Sequence, residues 1–312
     1  MTPLRTALAT AVDRLTAAGV DSPEHDARAL AVHVLGVKRP SDLLMLDHLD
    51  QAQARAYEAV VARRAQRIPL QHLTGWVGFR YLELEVGPGV FVPRPETESV
   101  VQWAVDAVKA EGWTAPLCVD LCTGSGTMAF ALANEVPGAI VHAVERDSGA
   151  LAWTRRNVAH RVAAGDPEVV LHLGSAEDAL PGLDGTLDLV VSNPPYVATT
   201  ETHIPDPEVL DHDPALALWA GEDGLDVIRL VEQAARRLLR PGGLVVVGLV
   251  MVVWGGWPRA GVGPAPRRRR PQRPAGLGPS PSSRRKTGPV PARRPRARRR
   301  GGARRRRRPR RR

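Results

Sequence analysis

The sequence predicts an α/β protein, a doubly wound parallel sheet with a small N-terminal helical domain and a basic tail. Residues 1 to about 70 repeat apolar side chains at helical spacing, and residues 117 to 247 alternate short apolar runs with helical patterns. Such alternation is typical of a parallel sheet with helices on both faces. Residues 254–312 consist mainly of Arg, Pro and Gly, which cannot bury a core, so we expect this tail to be disordered.

The helical pattern of the first segment has recognisable starts and stops. Apolar residues from Leu4 to Leu15 share one helix face, and Asp21-Ser22-Pro23-Glu24 is typical of a helix start. Gly36 can end that second helix, and a further helix is expected from about Asp50 to Arg67. We therefore predict a helical domain at 1–74. It is either a bundle without chemistry of its own or a substrate-docking domain, and the residues favour neither.

A change of pattern follows between residues 75 and 98. Aromatic and aliphatic residues lie among glycines from Gly75 to Val92, which suggests a β-hairpin linking two domains. In Phe91-Val-Pro-Arg-Pro-Glu-Thr-Glu98, two prolines hold Arg94 in an extended segment, and the acids can open a helix. Taken alone, this octapeptide is an ordinary turn before a helix. The domain predicted to follow covers residues 93–253.

Five strands are predicted for that second domain. They are Leu117–Leu121, Ile140–Glu145, Val169–Leu173, Leu187–Ser192 and the apolar run after the turn Pro241-Gly242-Gly243. The segments between them have helical patterns, with helices expected from Met128, over Trp153–Val162 and over Val227–Leu239.

The stretch Asn193-Pro194-Pro195-Tyr196 directly follows the fourth strand. Ligands of open α/β sheets bind at the carboxyl ends of strands, and two prolines make this corner stiff. An amide oxygen, a proline carbonyl and an aromatic face suit a planar NH2 group, because both hydrogens are bound while the nitrogen lone pair stays free. We therefore predict that Asn193, Pro194, Pro195 and Tyr196 serve chemistry on an amide or amino nitrogen.

A glycine turn follows the first strand of the sheet. Gly124-x-Gly126-x-x-Ala129 matches a nucleotide-binding fingerprint, and Glu145 ends the next strand 19 residues after Gly126. A carboxylate there can accept hydrogen bonds from both hydroxyls of a ribose. These features leave NAD possible, but hydride transfer has no evident use for Asn-Pro-Pro-Tyr. Methyl transfer from S-adenosylmethionine does, since it requires mainly alignment and exclusion of water.

Four motifs together resemble the release-factor glutamine methyltransferases (PrmC/HemK), over the body to about Val247. They are Phe91–Glu98, Asp120-Leu-Cys-Thr-Gly-Ser-Gly126, Val191-Ser-Asn-Pro-Pro-Tyr-Val197 and Gly221-Glu-Asp-Gly-Leu-Asp-Val-Ile-Arg229. Pro69-Leu-Gln-His-Leu-Thr-Gly75 also resembles the interdomain stretch of that family.

The resemblance implies a Rossmann-like S-adenosylmethionine-dependent methyltransferase sheet and methylation of the glutamine amide in the Gly-Gly-Gln loop of class 1 peptide chain release factors. It implies release-factor contacts for the helical domain. Catalytic roles fall on Asn193, Pro194 and Tyr196, and substrate binding on these and Pro195. Implied cofactor positions are Asp120, Cys122, Thr123, Gly124, Ser125, Gly126, Glu145, Ala176 beside Ser175, and Asn193.

The tail departs from that family, whose members continue with an acidic segment and two closing strands. Residues 254–312 hold 23 of the 43 Lys and Arg and none of the 33 Asp and Glu, so the rest carries a net charge of −13. The tail is either a nucleic-acid arm or, as we prefer, the product of a shifted reading frame that removes the last strands. Translating the coding DNA in its other frames tests this preference.

Three functional classes follow from the sequence. The protein is a glutamine methyltransferase, a nucleic-acid (adenine N6) amino-methyltransferase or a non-catalytic RNA-binding protein, and an inactive truncated family member is a variant of the first. The acidic body disfavours the second class, which needs a basic groove. No signal peptide is visible, and the longest apolar run is about half of the roughly 20 residues that span a bilayer. We expect a cytoplasmic protein without a metal or a membrane partner.

Overall fold

The structure is a computed structural model that describes residues 1–201 and 206–248. Its first part is mainly helical. The helices are α1 (Leu4–Ala17), α2 (Pro23–Leu35), α3 (Gln51–Ala65) and α4 (Leu70–Thr74). A 3₁₀ turn covers Pro40–Met45, and the two-residue strands β1 (Thr2–Pro3) and β2 (His48–Leu49), which the sequence did not predict, pair antiparallel. Gly36 ends α2 with a φ of 62°, as its position predicts.

A hairpin and a long helix follow, as expected from the sequence. Strands β3 (Trp76–Phe79) and β4 (Leu82–Glu85) pair antiparallel, and α5 (Glu96–Glu111) begins at the first acid of the Pro-Arg-Pro-Glu-Thr-Glu segment. Arg80 occupies the hairpin turn with a φ of 52° and makes an ion pair of 2.5 Å (Nε to Oε1) with Glu135. The hairpin is thereby fastened to the helices that cover the large sheet.

The large sheet is parallel throughout, with the strand order β7-β6-β5-β8-β9. Its strands are β5 (Leu117–Leu121), β6 (Ile140–Glu145), β7 (Val170–Leu173), β8 (Leu187–Ser192) and β9 (Leu239–Val247). The remaining helices are α6 (Thr127–Glu135), α7 (Ser148–Ala163), α8 (Pro207–His212), α9 (Ala215–Leu218) and α10 (Asp226–Leu238).

Apolar residues of the sheet belong to two separate buried clusters, one on each face. Val141, Ala143 and Val191 pack with α5 and α6, whereas Val144 and Val190 pack with α10. Alternate residues of one strand therefore face opposite helical layers. The predicted doubly wound fold is confirmed.

The beginning of β9 differs from the prediction. The sequence placed a turn at Pro241-Gly242-Gly243 and a strand only after it, but β9 already begins at Leu239. Leu187 pairs with Leu239 and Leu189 with Leu244, so the extra residues form an irregularity inside the strand. The Pro-Gly-Gly segment therefore lies within the strand and does not end it.

The domain limits predicted at residues 74, 92 and 253 stay predictions. The predicted tail and the expected lack of further strands concern residues after 248, which lie outside the described residues. Within 1–201 and 206–248, no helix is both long and apolar enough to cross a membrane. In the same ranges, no three His, Cys, Asp or Glu side chains are grouped so that they could hold a metal ion.

The order in which strands are added to the sheet reverses at β5: β6 and β7 lie on one side of it, and β8 and β9 lie on the other. Leu121 and Ser192, the last residues of these neighbouring strands, are paired, and the Ser192 hydroxyl donates to the Leu121 carbonyl (Oγ to O, 2.7 Å). The glycine turn and the Asn-Pro-Pro-Tyr corner therefore begin side by side. Such a reversal point is where open α/β sheets bind ligands.

Candidate active site

A cavity of about 490 Å³ lies at this reversal point. Its walls include four groups of residues that are distant from one another in the sequence. They are the segment around Phe91, Pro93 and Thr97, the turn Cys122–Ser125 with Glu145, the corner Asn193–Tyr196, and Pro214–Trp219. One cavity therefore brings together both motifs that the sequence singled out.

Helix α7 holds the backbone of the glycine turn. The Thr154 hydroxyl donates to the Gly124 carbonyl (Oγ1 to O, 2.7 Å), and the Asn157 amide donates to the Ser125 carbonyl (Nδ2 to O, 3.0 Å). Gly126 has a φ of 88°, and a Cβ there would lie 2.3 Å from the Phe130 ring and 2.7 Å from the Thr154 methyl. Only glycine fits at this position, so the turn can pass close to the helix.

Glu145 ends β6 beside the glycine turn, where the sequence predicts a carboxylate for ribose hydroxyls. It lines the cavity and is only 8% exposed. Its two oxygens accept backbone N–H bonds from Gly124 and Asp147, each at 2.9 Å. Each carboxylate oxygen can accept two hydrogen bonds, so one acceptor position per oxygen remains for a ligand hydroxyl. These contacts fix the side chain at the mouth of the glycine turn.

Asp120 lies beneath the turn and does not line the cavity. It is fully buried, and its Oδ2 accepts from the Thr123 hydroxyl (2.5 Å) and the Ala129 backbone N–H (3.2 Å). Burial raises the pKa of Asp120 to about 7, against the lowering effect of these two hydrogen bonds. Asp120 thus positions Thr123, which does reach the cavity.

Two further predicted cofactor residues are also absent from the cavity wall. Gly126 packs against α6 and α7, and Ala176 is buried in the core on the α10 side of the sheet. Cys122 does line the cavity, with an unusual φ of 61°. Burial raises the pKa of its thiol to about 12, so the side chain stays neutral.

The amide of Asn193 has one paired and one unpaired end. Its Nδ2 is 3.5 Å from the hydroxyl of Thr97, a buried residue in the first turn of α5. Its Oδ1 is buried and has no hydrogen-bond partner among the residues that the structure describes. A buried carbonyl oxygen without a donor is costly, and a substrate N–H would satisfy it.

Gly248 lies against the same amide. Its N–H donates to the Ser192 carbonyl (2.8 Å), and a Cβ at this position would be 3.0 Å from the Asn193 Oδ1. A side chain at position 248 would therefore crowd the carboxamide of Asn193.

Backbone bonds stabilise the proline corner from behind. The N–H of Val197 donates to the Leu218 carbonyl, and the N–H of Ala220 donates to the Val197 carbonyl, both at 2.9 Å. Gly224 packs so closely that a Cβ would lie 2.4 Å from the Tyr196 carbonyl oxygen. The motif Gly221–Arg229, known from the sequence only as part of a resemblance, thus supports the corner. Burial raises the pKa of Tyr196, so its phenol stays protonated.

Sequence reasoning missed the ion pair that joins two walls of the cavity. Arg94 donates to Asp213 (Nη2 to Oδ2, 2.6 Å), whose side chain has no exposed surface. Burial raises the pKa of Asp213, although Arg94 and the Val92 N–H oppose this shift. Nothing in the sequence links positions 94 and 213. Thr97 was likewise seen only as a helix-opening residue, although it contacts Asn193.

Family models match both parts of the chain. Residues 6–75 match the PrmC N-terminal domain, and residues 88–206 match the methyltransferase small domain. A release factor glutamine methyltransferase of Streptomyces coelicolor is 58% identical over 240 residues, which are 77% of this chain and 82% of the relative. One of Mycolicibacterium smegmatis is 50% identical over 253 residues, 79% of this chain and 84% of the relative.

A relative with a different name shares the same extent of sequence. The 4-amino-L-phenylalanine/4-methylamino-L-phenylalanine methyltransferase of Streptomyces pristinaespiralis is 43% identical over 249 residues, 78% of this chain and 82% of the relative. The names of the first two relatives give glutamine as the methylated residue, whereas this name gives an amino acid with an aromatic amine.

Proposed function

The chain belongs to the release factor glutamine methyltransferase family, and from this premise we propose that it methylates the glutamine of the Gly-Gly-Gln motif in class 1 peptide chain release factors. The methyl group goes from S-adenosylmethionine to the side-chain amide nitrogen. The protein is a methyltransferase, and S-adenosylmethionine is its methyl donor.

This proposal depends most on one observation, the buried Oδ1 of Asn193, which has no partner in residues 1–201 and 206–248. It offers an acceptor to one N–H of the substrate amide, and we assign the Pro194 carbonyl to the other. Tyr196 would pack against the plane of the amide. An amide nitrogen is a poor nucleophile, so an orientation that leaves its lone pair free matters more than it would for an amine.

The other half of the cavity suits the cofactor. Glu145 would accept from the ribose hydroxyls, while Cys122, Thr123, Gly124 and Ser125 would surround the remaining part of the molecule. S-adenosylmethionine supplies an activated sulfonium methyl, so the chain needs no acid–base pair beyond its groups for binding and orientation. Asp120, Gly126 and Ala176 act in this proposal through the turn and the core, without touching the cofactor.

The release factor itself is the proposed partner, and residues 1–74 are proposed to dock it. Release factors act in translation, so the proposal places the protein in the cytoplasm. A nucleic-acid substrate is disfavoured because residues 1–253 carry a net charge of −13.

Labelled S-adenosylmethionine tests the proposal directly. The full chain is incubated with a class 1 release factor, with its Gln-to-Ala variant in the Gly-Gly-Gln motif, and with duplex DNA. We expect label only on the unchanged release factor, and mass spectrometry should place one methyl group on that glutamine. Equal labelling of the Gln-to-Ala variant, or labelling of DNA alone, contradicts the proposal.

A second candidate substrate is an aromatic amine such as 4-amino-L-phenylalanine. The 43% identical relative carries that activity in its name, and Phe91, Pro93 and Leu216 give part of the cavity an apolar surface. Adding this amino acid as a further arm of the same assay decides the matter. Methylation of the amine together with an unlabelled release factor would replace the first proposal by this one.

A further inference from the structure

The wall Pro214–Trp219 of the cavity belongs to a segment that is fastened at its far end to the helical part of the chain. This segment, residues 206–219, contains α8 and α9. Three of its carboxylates, those of Asp206, Glu208 and Asp213, pair with arginines outside it. Arg94 pairs with Asp213, the carboxylate next to the wall. Two arginines at the end of α3 and just after it pair with Asp206 and Glu208.

Arg67 makes the largest number of these contacts. Its Nη2 is 3.1 Å from Asp206 Oδ1, its Nε is 3.0 Å from Glu208 Oε1, and its Nη1 donates to the Gly19 carbonyl. Arg64 lies one turn before it and pairs with Glu208 (2.7 Å, Nη1 to Oε1) and with Asp26 (2.7 Å, Nε to Oδ2). The side chains of Arg67 and Glu208 are only 18% and 14% exposed, so water weakens these pairs less than it weakens surface pairs.

The backbone of Arg67 adds independent support. Its φ is 64°, a left-handed conformation in which glycine or asparagine is the usual residue after a helix. An arginine is costly there, which is understandable if its side chain is needed. The contacts of this side chain with Asp206 and Glu208 are a reason for an arginine at this position.

The segment in turn contacts the reacting end of the cavity. Val197, directly after Tyr196, exchanges backbone bonds with Leu218 and Ala220. A shift of Pro214–Trp219 would therefore change both the cavity wall and the proline corner. A displacement of about 1 Å of such groups costs an enzyme on the order of 10²-fold in rate.

From these contacts we propose that Arg67 is a positioning residue for methyl transfer, which holds residues 206–219 so that Pro214–Trp219 and the proline corner keep their places. The helical part of the chain then has a second role beside the docking of a substrate. The effect on turnover depends on the function proposed above, whereas the effect on cofactor binding does not.

Arg67→Gly in the full chain is the most informative variant, because glycine suits the backbone at this position and removes only the side chain. We expect kcat for the release factor to fall about tenfold. The dissociation constant of S-adenosylmethionine, measured by calorimetry without a release factor, should rise about fivefold or more, through the loss of charge-assisted hydrogen bonds that hold the wall. Arg67→Lys keeps the charge but lacks the planar group that contacts Asp206 and Glu208 together, so it should recover part of both losses.

Arg63→Ala is the matched control, since Arg63 lies in the last turn of α3, four residues before Arg67, and is exposed. It should leave both values within about twofold, the usual range for an exposed position. Asp206→Asn is the second variant if Arg67→Gly does not fold. Asparagine still caps α8, so only the charge pair with Arg67 is lost.

Cofactor affinity, kcat and the midpoint of thermal unfolding together distinguish a positioning role of Arg67 from a purely stabilising one, and both from a failure of the proposed function. If Arg67→Gly, or Asp206→Asn in its place, matches Arg63→Ala in cofactor affinity and kcat, the proposal is wrong. It is also wrong if the variant lowers only the midpoint of thermal unfolding. If the unchanged chain does not methylate the release factor, the proposed function fails, and the cofactor affinities still decide the role of Arg67.

Discussion

The glycine turn and the proline corner lie side by side in one cavity but obtain their shapes in opposite ways. In Cys122–Gly126 the backbone takes left-handed conformations, and side chains of α7 hold it in place. In Asn193–Tyr196 two proline rings restrict the backbone covalently, and backbone bonds behind Val197 add support. The surface proposed for the cofactor therefore depends on packing, whereas the group proposed to orient the reacting nitrogen starts from a rigid backbone.

The largest expected effect concerns the proline corner. Asn193→Ala should lower kcat by about 10²- to 10³-fold, as loss of a positioned polar group commonly does. The dissociation constant of S-adenosylmethionine should stay within about threefold, because the glycine turn is untouched. Steady-state kinetics and calorimetry measure the two values. Equal losses in both would show that the corner and the turn do not divide their tasks as described.

The packing of the glycine turn predicts a difference between two neighbouring glycines. Gly124 and Gly126 both have positive φ, but a Cβ would meet nothing within 4 Å at Gly124 and would overlap Phe130 and Thr154 at Gly126. Gly126→Ala should therefore lower the free energy of unfolding by about 1–3 kcal/mol more than Gly124→Ala does. Urea unfolding measures both, and an equal loss would mean that backbone conformation alone explains the choice of glycine.

Glu145 offers a way to weaken the cofactor half alone. In Glu145→Gln one oxygen becomes an NH2 group, which would face the N–H of Gly124 or Asp147 instead of accepting from it. The affinity for S-adenosylmethionine should fall about tenfold or more, as expected for hydrogen bonds to a charged group. With saturating cofactor, kcat should change less than it does in Asn193→Ala. A larger fall in kcat than in affinity would contradict the division between the two halves.

The prediction that bears least directly on the two halves of the cavity concerns Asp120, the buried carboxyl beneath the turn. The pKa of Asp120 is raised from 3.8 to about 7, so the folded state binds this proton more tightly than the unfolded state does. The stability contribution of Asp120 is thus fully present below about pH 4 and is lost as the pH rises to about 7, with a slope of at most about 1.4 kcal/mol per pH unit. Urea unfolding across this range should show that the free energy of unfolding of the unchanged chain falls with rising pH relative to that of Asp120→Asn. Parallel curves would show that Asp120 is not the group that titrates.

The sequence predicted the parts of the fold that depend on local patterns. Short apolar runs bounded by turn residues located β5, β6 and β8 within the sheet, and Gly36 marked the end of α2. The start of β9 was missed because Pro-Gly-Gly usually ends a strand, whereas here it forms a bulge opposite β8. A bulge depends on the neighbouring strand, which a local pattern does not contain.

The site shows the same limit more clearly. The strand ends brought Asn193 and Glu145 to one cavity as the sequence predicted, since their positions follow from the order of strands and turns. The pairs Arg94–Asp213 and Arg67–Asp206 join residues more than a hundred positions apart, and no pattern in one sequence connects them. Asp120 is part of the glycine motif, yet it is buried under the turn and does not line the cavity.

Gly248 has a consequence for anyone who wishes to exchange the C-terminal extension of this protein. A methyl group at this position would lie 3.0 Å from the carboxamide oxygen of Asn193, which would have to shift by a few tenths of an ångström. Chimeras with family-like endings should therefore be joined after residue 248 and keep this glycine. With the junction there, the packing of Gly248 against Asn193 is kept whatever ending follows.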